Sequence, residues 1–387
     1  MTETNFVTDG MQNTDASENR SSFVDFAAIK DEMMSNQTPL QVLDGHGKIV
    51  NQAVFDQYSD TELVDMLKLM VWERTLHQRS NALTRQGRLG FYAPTEGQEA
   101  SEMGAQLAFK ATDFLLPAYR DIPQLIQHGL PTWKAFLWSR GHVLGNDYEE
   151  EHLAAMPPQI IIGAQYIQAA GVALGIKKNK TEDMVAYTFT GDGGTSQGDF
   201  YEGINFAGAY QVPAVFIIQN NGYAISTPRH VQTAAVTLAQ KGMAAGIPFV
   251  QVDGMDILAV REAAKAAREY AAAGNGPVLI ETLTFRFGPH TNAGDDPKRY
   301  RTPEEEQPWF DNDPLIRLRK VLTEKGVWSE EIENAYIDDV KAEIKAAVAQ
   351  ADAAPKQKIS DFLKNVFEEP TPDIVEQIAI FEAKEAK

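Results

Sequence analysis

The sequence from Tyr187 to Ser226, YTFTGDGGTSQGDFYEGINFAGAYQVPAVFIIQNNGYAIS, decides the fold of this chain. The apolar, β-branched residues from Met184 to Thr190 predict a buried strand, and a glycine-rich turn from Gly191 to Gly194 follows them. A helix is expected from about Gln197 to Tyr210, and a second apolar run at 215–218 predicts another strand. A strand–helix–strand unit of this kind places its strands parallel through a right-handed crossover.

Two polar signals come just after these two strands. Asp192 follows the first strand and Asn221 follows the second, with 28 residues between them. Because parallel strands end at the same edge of the sheet, where open α/β sheets bind ligands, the two side chains are expected to converge. Carboxylate and amide oxygens suit a hard cation such as Mg²⁺. The N-terminus of the helix after Gly194 points to the same place and suits an anion, so the pattern predicts a cation next to a phosphate.

Two other phosphate-binding motifs fit this stretch less well. The dinucleotide motif G-x-G-x-x-G requires glycine where Ser196 stands, and it places Asp192 against a pyrophosphate, which is repulsive unless a cation bridges them. No acidic residue ends the second strand to bind a ribose. The G-x-x-x-x-G-K motif is absent because no lysine follows. A nicotinamide-dependent oxidoreductase therefore remains an alternative with less support.

Composition narrows the class of protein. The chain has 387 residues, no cysteine and a net charge of −19. The absence of cysteine excludes disulfides and thiol chemistry, and the negative charge argues against nucleic acid as a partner. The length is sufficient for one large domain or two average ones. The first 25 residues carry one basic residue and no apolar core of a secretory signal, and no apolar run is long enough to cross a membrane. We therefore expect a cytoplasmic protein that does not bind membranes.

The rest of the sequence alternates helix and strand signals. Ser59 and Glu62 form a potential capping box before a helix with a single apolar face. Residues 231–246 are predicted to be helical, and residues 314–385 to be amphipathic helices. The alternation predicts an α/β fold with a doubly wound, mostly parallel sheet and helical N- and C-terminal extensions.

Four further segments make the central motif specific. They are GFYAPTEGQEA (90–100), PAYRD (117–121), PPQIIIGAQYIQAAG (157–171) and FRFGPHTNAGDDPKRYR (285–301). The central motif itself is GDG followed 26 residues later by NN. Together with these segments, the motif resembles the alpha subunits of the thiamine-diphosphate-dependent first component of 2-oxo-acid dehydrogenase complexes. The resemblance extends from about Leu89 to Tyr300. The resemblance implies the thiamine-diphosphate-binding fold. It divides the chain into an N-terminal arm (1–45), an α/β domain (46–310) and a helical C-terminal extension (311–387).

The resemblance also implies the roles of particular residues toward the coenzyme. Residues matched to its diphosphate are Tyr119, Arg120, Gly193, Gly194 and His290, and Asp192 and Asn221 bind the coenzyme through its metal. Ile160 and Ile162 match the segment at the aminopyrimidine ring, with Ile162 as the apolar wedge that keeps the coenzyme bent. Without the resemblance, the three isoleucines 160–162 are equally typical of a core strand. His290 is also the catalytic candidate, because its counterpart lies beside the reacting centre.

The metal and substrate sites follow from the same resemblance. Asp192, Asn221 and the backbone carbonyl of Tyr223 are the expected Mg²⁺ ligands. Phe91 and Tyr92 are weaker candidates for contact with the substrate. Gln219 stands where some members of the family carry a phosphate-binding arginine.

The resemblance implies an activity that needs partners. A thiamine coenzyme requires a glutamate at its pyrimidine ring, and in this family a beta subunit supplies it, so an α2β2 heterotetramer is expected. The reaction is oxidative decarboxylation of a 2-oxo acid, with transfer of the acyl group to the lipoyl group of an acyltransferase core, the dihydrolipoyl acetyltransferase when the substrate is pyruvate. Pyruvate is the expected substrate. Branched-chain 2-oxo acids and acetoin remain alternatives, as does a non-catalytic scaffolding subunit.

Overall fold

A parallel five-stranded β-sheet lies at the centre of the computed structural model, which describes residues 38–386. Its strands are β1 (Phe114–Leu116), β2 (Ala186–Gly191), β3 (Ala214–Asn220), β6 (Phe249–Asp253) and β7 (Val278–Leu283), and two short strands, β4 (Tyr223–Ala224) and β5 (Thr227–Pro228), form a separate antiparallel pair. The order across the sheet is β1-β2-β3-β7-β6, and each neighbouring pair is parallel. The prediction of an α/β fold with a mostly parallel sheet is confirmed.

Helices separate the strands along the chain and occupy its C-terminal part. They are α1 (Gln52–Phe55), α2 (Asp60–Arg85), α3 (Glu99–Gln106), α4 (Ile122–Gln127), α5 (Thr132–Ser139), α6 (Ala164–Lys178), α7 (Gly198–Tyr210), α8 (Arg229–Gln232), α9 (Lys241–Ala244), α10 (Ile257–Ala272), α11 (Pro303–Asp311), α12 (Pro314–Glu324), α13 (Glu330–Ala353), α14 (Ile359–Lys364) and α15 (Pro372–Glu385). The long helix α2 begins with the predicted capping box, since Ser59 and Glu62 each bond the backbone of the other. In the described residues, no helix is long and apolar enough to cross a membrane.

The central strands separate two hydrophobic cores. Tyr187 and Phe189 of β2 enter one core, whereas Ala186 of β2 enters the other with Phe216 and Ile218 of β3. Side chains of a strand alternate between its faces, so a strand covered on both sides is apolar throughout. This double burial explains why β2 and β3 appear in the sequence as continuous apolar runs.

The strand–helix–strand unit places the polar signals as predicted. β2 and β3 are in parallel register from Ala186 opposite Ala214 to Gly191 opposite Gln219. Asp192 and Asn221 each follow the last residue of a strand, and they therefore lie at the same edge of the sheet. The helix differs slightly: a 3₁₀ turn over Asp192–Ser196 comes first, and α7 begins only at Gly198.

An N-terminal segment pairs with the sheet, and two C-terminal helices join the core on one side of it. Leu40 pairs with Val252 of β6, and Leu43 pairs with Ile49 in a small hairpin. Leu318 of α12 and Ile344 of α13 belong to the core that contains Tyr187 of β2. The boundaries 1–45, 46–310 and 311–387 stay a prediction, and most of the N-terminal arm lies outside the described residues.

The prediction of one helix over residues 231–246 is wrong. Only α8 and α9 form there, and an irregular segment separates them. Glu281 of β7 accepts hydrogen bonds from the backbone N–H groups of Leu238 and Ala239, at 2.8 and 2.9 Å. A buried carboxylate thus binds amide groups that a continuous helix would have used internally.

Candidate active site

A cavity of about 320 Å³ opens at the edge of the sheet where β1, β2 and β3 end. Its wall comes from the β1–α4 connection, the segment before α6, the 3₁₀ turn after β2, the end of β3 and the loop after β7. The lining residues are Ala118, Tyr119, Arg120, Asp121, Ile160, Ile162, Gln165, Thr190, Gly191, Asp192, Gly193, Gly194, Gln197, Gln219, Asn221, Tyr223, Ala224, Ile225, Arg286 and His290. All of the predicted coenzyme and metal residues are among them, although they come from five separate segments of the chain.

Asp192 is the buried acid of this cavity. Its side chain is 1% exposed, and its Oδ2 accepts a hydrogen bond from Gln232 Nε2 at 2.7 Å. Its Oδ1 has no hydrogen-bond partner among the described residues. Burial raises the pKa of the Asp192 carboxyl, although the bond from Gln232 acts in the opposite direction. A buried carboxylate oxygen without a partner is costly, and a cation would stabilise it.

The glycine-rich turn holds this carboxylate in place through close packing. A Cβ atom at Gly194 would lie 1.9 Å from Thr190 Oγ1, so the turn requires glycine at that position. Thr195 Oγ1 donates to the backbone carbonyl of Asp192 at 2.7 Å, and Lys241 Nζ donates to the Thr195 carbonyl at 2.8 Å. These contacts fix the backbone of the turn, so that the Asp192 side chain faces the cavity.

Asn221 lines the same cavity as Asp192 and follows the end of β3. Its Nδ2 donates to Gln98 Oε1 at 2.9 Å, and its Oδ1 accepts from the backbone N–H of Tyr223 at 3.3 Å. An amide oxygen has two lone pairs, so one remains for a ligand on the cavity side. Tyr223 itself lines the cavity at the start of β4.

Basic groups form another part of the cavity wall. Arg120 donates through Nη1 to the carbonyl of Pro94, and its Nη2 lies 3.3 Å from His290 Nδ1. Arg286 is fully buried and donates to the backbone carbonyls of Gly288 and Ile225 at 3.1 and 3.3 Å. Arg120 does not pair with Asp121, whose oxygens instead accept from the Ala118 N–H and from Gln124. Two buried guanidinium groups in one cavity favour an anionic ligand.

The contact with Arg120 defines the tautomer of His290. A guanidinium can only donate, so Nδ1 of the imidazole must accept and the ring proton must be on Nε2. Burial, followed by the charges of Arg120 and Arg286, lowers the pKa of His290 to about 4. The imidazole is therefore neutral near pH 7, and it presents one N–H donor.

The isoleucines before α6 are not a core strand. Ile160 and Ile161 are 63% and 65% exposed, and Ile160 and Ile162 line the cavity. Exposure of consecutive large apolar side chains is unusual and marks a binding surface. Gly163, with φ of 88°, ends the segment and precedes α6. This position agrees with contact to an apolar ring and disagrees with the core-strand alternative.

The weaker substrate candidates lie behind the wall. Phe91 contacts the rings of Tyr119 and Trp138 edge to face. Tyr92 is buried, and its hydroxyl has no hydrogen-bond partner among the described residues. Neither residue lines the cavity, so their role toward a substrate stays a prediction.

Sequence reasoning missed three polar residues of the wall as site candidates. Gln165 has no hydrogen-bond partner for either side-chain polar atom, and Gln219 has none for Nε2, among the described residues. At Gln219 the sequence indicates only that the arginine of some family members is replaced. Arg286 stands in the quoted segment 285–301, and its position directly after a strand was the available signal. Unpartnered amide groups in a cavity indicate donors and acceptors kept for a ligand.

The cavity is suited to a cation bridged to a phosphate. In residues 38–386 no cluster of three or more His, Asp or Glu side chains is arranged to hold a metal. A site built from Asp192, Asn221 and a backbone carbonyl would contain one such side chain only, and Mg²⁺ commonly takes few carboxylates and completes its shell with phosphate and water. The unpartnered Asp192 oxygen provides negative charge for the cation, and the basic wall provides positive charge for the phosphate.

The chain belongs to the dehydrogenase E1 component family. The model of that family matches residues 67–360. The chain is 55% identical over 364 residues to the pyruvate dehydrogenase E1 component subunit alpha of Staphylococcus aureus strain Mu50. The aligned residues make up 94% of this chain and 98% of that protein. It is 56% identical, over the same shares, to the protein of the same name from Staphylococcus epidermidis strain RP62A.

Membership of the family implies thiamine diphosphate as the coenzyme, and the residues present fit it. The Arg120, Arg286 and His290 side chains suit a diphosphate. The exposed Ile160 and Ile162 side chains suit an apolar ring. The cavity volume of about 320 Å³ is within the range of small-molecule sites.

Proposed function

We propose that this chain is the alpha subunit of a pyruvate dehydrogenase E1 component. It would decarboxylate pyruvate with thiamine diphosphate and Mg²⁺, and it would pass the acetyl group to a lipoyl group of the acyltransferase core. The observation that carries the proposal is the meeting of an unpartnered buried carboxylate oxygen, on Asp192, with a basic wall in one cavity. Near full-length identity to two proteins named as pyruvate dehydrogenase subunits supports pyruvate as the substrate.

The side chains have distinct roles in this proposal. Asp192, Asn221 and the Tyr223 carbonyl would hold Mg²⁺, and Arg120, Arg286 and the amides of the glycine turn would hold the diphosphate. Thiamine diphosphate supplies an electron sink for the carboxylate-bearing carbon when it is bound. His290, neutral and protonated on Nε2, would donate a hydrogen bond to an oxygen in the cavity and stabilise charge that develops there.

The proposal includes a beta subunit. The exposed Ile160 and Ile161 side chains at the cavity mouth, together with Ile225 at 55% exposure, support a protein surface that continues across the opening. That subunit would contribute the glutamate at the pyrimidine ring, in an α2β2 heterotetramer. A lipoyl-bearing acetyltransferase core as acceptor and a cytoplasmic location belong to the same proposal.

Substrate selectivity tests the proposal. The chain would be co-expressed with its beta subunit, and kcat/KM would be measured with pyruvate and with 3-methyl-2-oxobutanoate, using an artificial electron acceptor. Because a pocket distinguishes an added methyl group by about 10–200-fold, pyruvate should be preferred by at least tenfold. Preference for the branched acid would contradict pyruvate as the substrate and leave the coenzyme site standing. Activity with neither acid would contradict a 2-oxo acid as the substrate and would favour acetoin or a scaffolding role.

A further inference from the structure

A chain of buried side-chain amides and acids leads away from the cation side of the cavity. Asn221 Nδ2 donates to Gln98 Oε1 at 2.9 Å, and Gln98 Nε2 donates to Glu102 Oε1, also at 2.9 Å. Gln98 and Glu102 are fully buried, and Asn221 is 5% exposed. Gln98 and Glu102 are four residues apart at the start of α3, so their side chains lie on one face of the helix.

The carboxyl groups of Glu102 and Glu73 form the end of this hydrogen-bond chain that lies farthest from the cavity. Glu102 Oε2 and both oxygens of Glu73 have no hydrogen-bond donor among the described residues, and Glu73 is fully buried. Burial raises the pKa of both carboxyls; the charge of Glu99 adds to this effect at Glu73, and the charge of Glu73 adds to it at Glu102. Two ionised carboxylates cannot bond each other, whereas one shared proton lets them do so. With that proton between Glu73 and Oε2, Oε1 of Glu102 remains an acceptor.

The hydrogen bonds from Glu102 through Gln98 to Asn221 can then be formed with only one orientation of each side-chain amide. An accepting Glu102 Oε1 requires the NH₂ group of Gln98 on its side, which turns Gln98 Oε1 toward Asn221. An accepting Gln98 Oε1 requires the NH₂ group of Asn221, which leaves Asn221 Oδ1 for the Tyr223 N–H and, through its second lone pair, for the cavity. Without these bonds only the Tyr223 N–H, at 3.3 Å, would favour the amide orientation of Asn221 that presents oxygen to a cation.

The backbone around Gln98 is mounted tightly enough to serve this purpose. Gly97 has φ of 95°, and a Cβ atom there would lie 2.2 Å from the Phe285 carbonyl oxygen. The Gly97 carbonyl accepts from Thr284 Oγ1 at 3.0 Å, and Glu99 Oε2 accepts from the Gly97 N–H at 2.9 Å. The start of α3 is thereby attached to the end of β7, beside the site.

We propose that Gln98 is a positioning residue for Asn221, and that the buried acid pair Glu73–Glu102 sets the direction of the hydrogen-bond chain that turns the Asn221 oxygen toward the cation. This inference rests on the proposed function, because it assumes a divalent cation at Asn221. Partners of metal ligands typically change metal affinity by about 10–100-fold when they are replaced. Gln98 would act in this way without touching the cation.

Metal binding tests the inference without measuring activity. The assembled complex with the beta subunit would be titrated with Mn²⁺ in the presence of thiamine diphosphate, and free Mn²⁺ would be measured by electron paramagnetic resonance. Gln98→Met removes the acceptor for Asn221 at similar volume and should weaken Mn²⁺ binding by about tenfold or more. Gln106→Met is the matched control. It is a buried glutamine at the other end of α3 that accepts from the Tyr187 hydroxyl, and its Mn²⁺ affinity should equal that of the wild type.

A second variant tests the inference if Gln98→Met does not fold. The double change Glu73→Gln with Glu102→Gln keeps shape and hydrogen-bonding capacity but removes both acids, so the amide chain loses its fixed direction. Mn²⁺ binding should again weaken by about tenfold. Affinity within about threefold of the wild type for the folded variants would overturn the inference and leave the proposed function intact. Absence of Mn²⁺ binding by the wild-type complex would instead overturn the proposed cation site, and the inference with it.

Discussion

Arg120 Nη2 lies 3.3 Å from Nδ1 of His290, so that a guanidinium that can only donate faces the imidazole. The two residues are 170 positions apart, and the β1–α4 connection and the loop after β7 bring them together at one edge of the sheet. Burial, together with this contact, lowers the pKa of the imidazole and keeps it neutral; the contact also places the ring proton on Nε2. These properties suit the binding of a diphosphate.

The first prediction concerns the ionisation of His290. Because burial and the neighbouring arginines lower the pKa of this imidazole to about 4, it should remain neutral throughout the pH range from 6.5 to 5, in which an ordinary histidine gains its proton. Arg120→Gln removes one of the repelling charges and should raise the pKa. NMR titration of protein with ¹³C-labelled histidine, assigned with His290→Gln, measures it.

The control for this measurement is Arg299→Gln, which removes an exposed arginine from the same loop. It should leave the His290 titration unchanged.

The lowered pKa of His290 also determines how the stability of the fold changes with pH. The unfolded chain takes up the proton near pH 6.5 and the folded chain does not. The contribution of His290 to stability is therefore complete above pH 6.5 and is lost as the pH falls toward 4. A His290 pKa near 6.5 would contradict this account of the basic wall.

The second prediction concerns Gly194. A methyl group at this position would meet Thr190 Oγ1 at 1.9 Å, so Gly194→Ala should destabilise the turn by about 1–3 kcal/mol and weaken coenzyme binding. Gly198→Ala is the matched control, because no atom of residues 38–386 lies within 4 Å of a Cβ added there. Thermal unfolding and coenzyme titration of both variants measure the difference. Equal behaviour of the two variants would show that the close packing of the turn is unimportant.

The third prediction concerns the pH dependence of stability. The raised pKa of Glu73 means that the folded chain keeps a proton that the unfolded chain releases, so stability should fall as the pH rises above the ordinary carboxyl range. Glu73→Gln mimics the protonated acid and should flatten this decline. The midpoint of thermal unfolding, compared between pH 5.5 and pH 8, measures the effect.

An exposed glutamate provides the control for Glu73. Glu182→Gln, at an exposed position in the turn before β2, should leave the pH dependence of the wild type unchanged. The Glu73→Gln variant should gain stability relative to the wild type as the pH increases. A constant difference between the two proteins across this range would contradict a proton held at Glu73.

Local patterns were sufficient to predict the centre of the fold. The apolar runs that became β2 and β3 are buried on both faces, and the Ser59 capping box needs only a hydrogen bond between near neighbours. Parallel pairing followed from the helix between the strands. The failure at residues 231–246 has a long-range cause, since Glu281 binds the amides of Leu238 and Ala239 and competes with helical hydrogen bonds.

The site was predicted in its residues and not in its contacts. Asp192 and Asn221 were identified by their types and spacing, whereas His290 was identified only by the resemblance to the family. The partners of these residues could not be predicted, since Gln98 and Gln232 approach from distant segments and their amides carry no distinctive pattern. The exposed positions of Ile160 and Ile161 also depend on tertiary packing, which periodicity does not contain.

The most direct test of the central claim is the binding of thiamine diphosphate by calorimetry, with and without Mg²⁺, to the assembled complex. The wild-type complex should bind the coenzyme in a Mg²⁺-dependent way, and Asp192→Asn should lose this dependence and weaken binding by at least tenfold. Asp113→Asn is the control. It removes a buried aspartate, bonded to Arg268 at the opposite end of β1, and should lower stability without changing coenzyme affinity. Coenzyme binding of undiminished, Mg²⁺-dependent affinity in Asp192→Asn would contradict the claim that this cavity is the cation and diphosphate site.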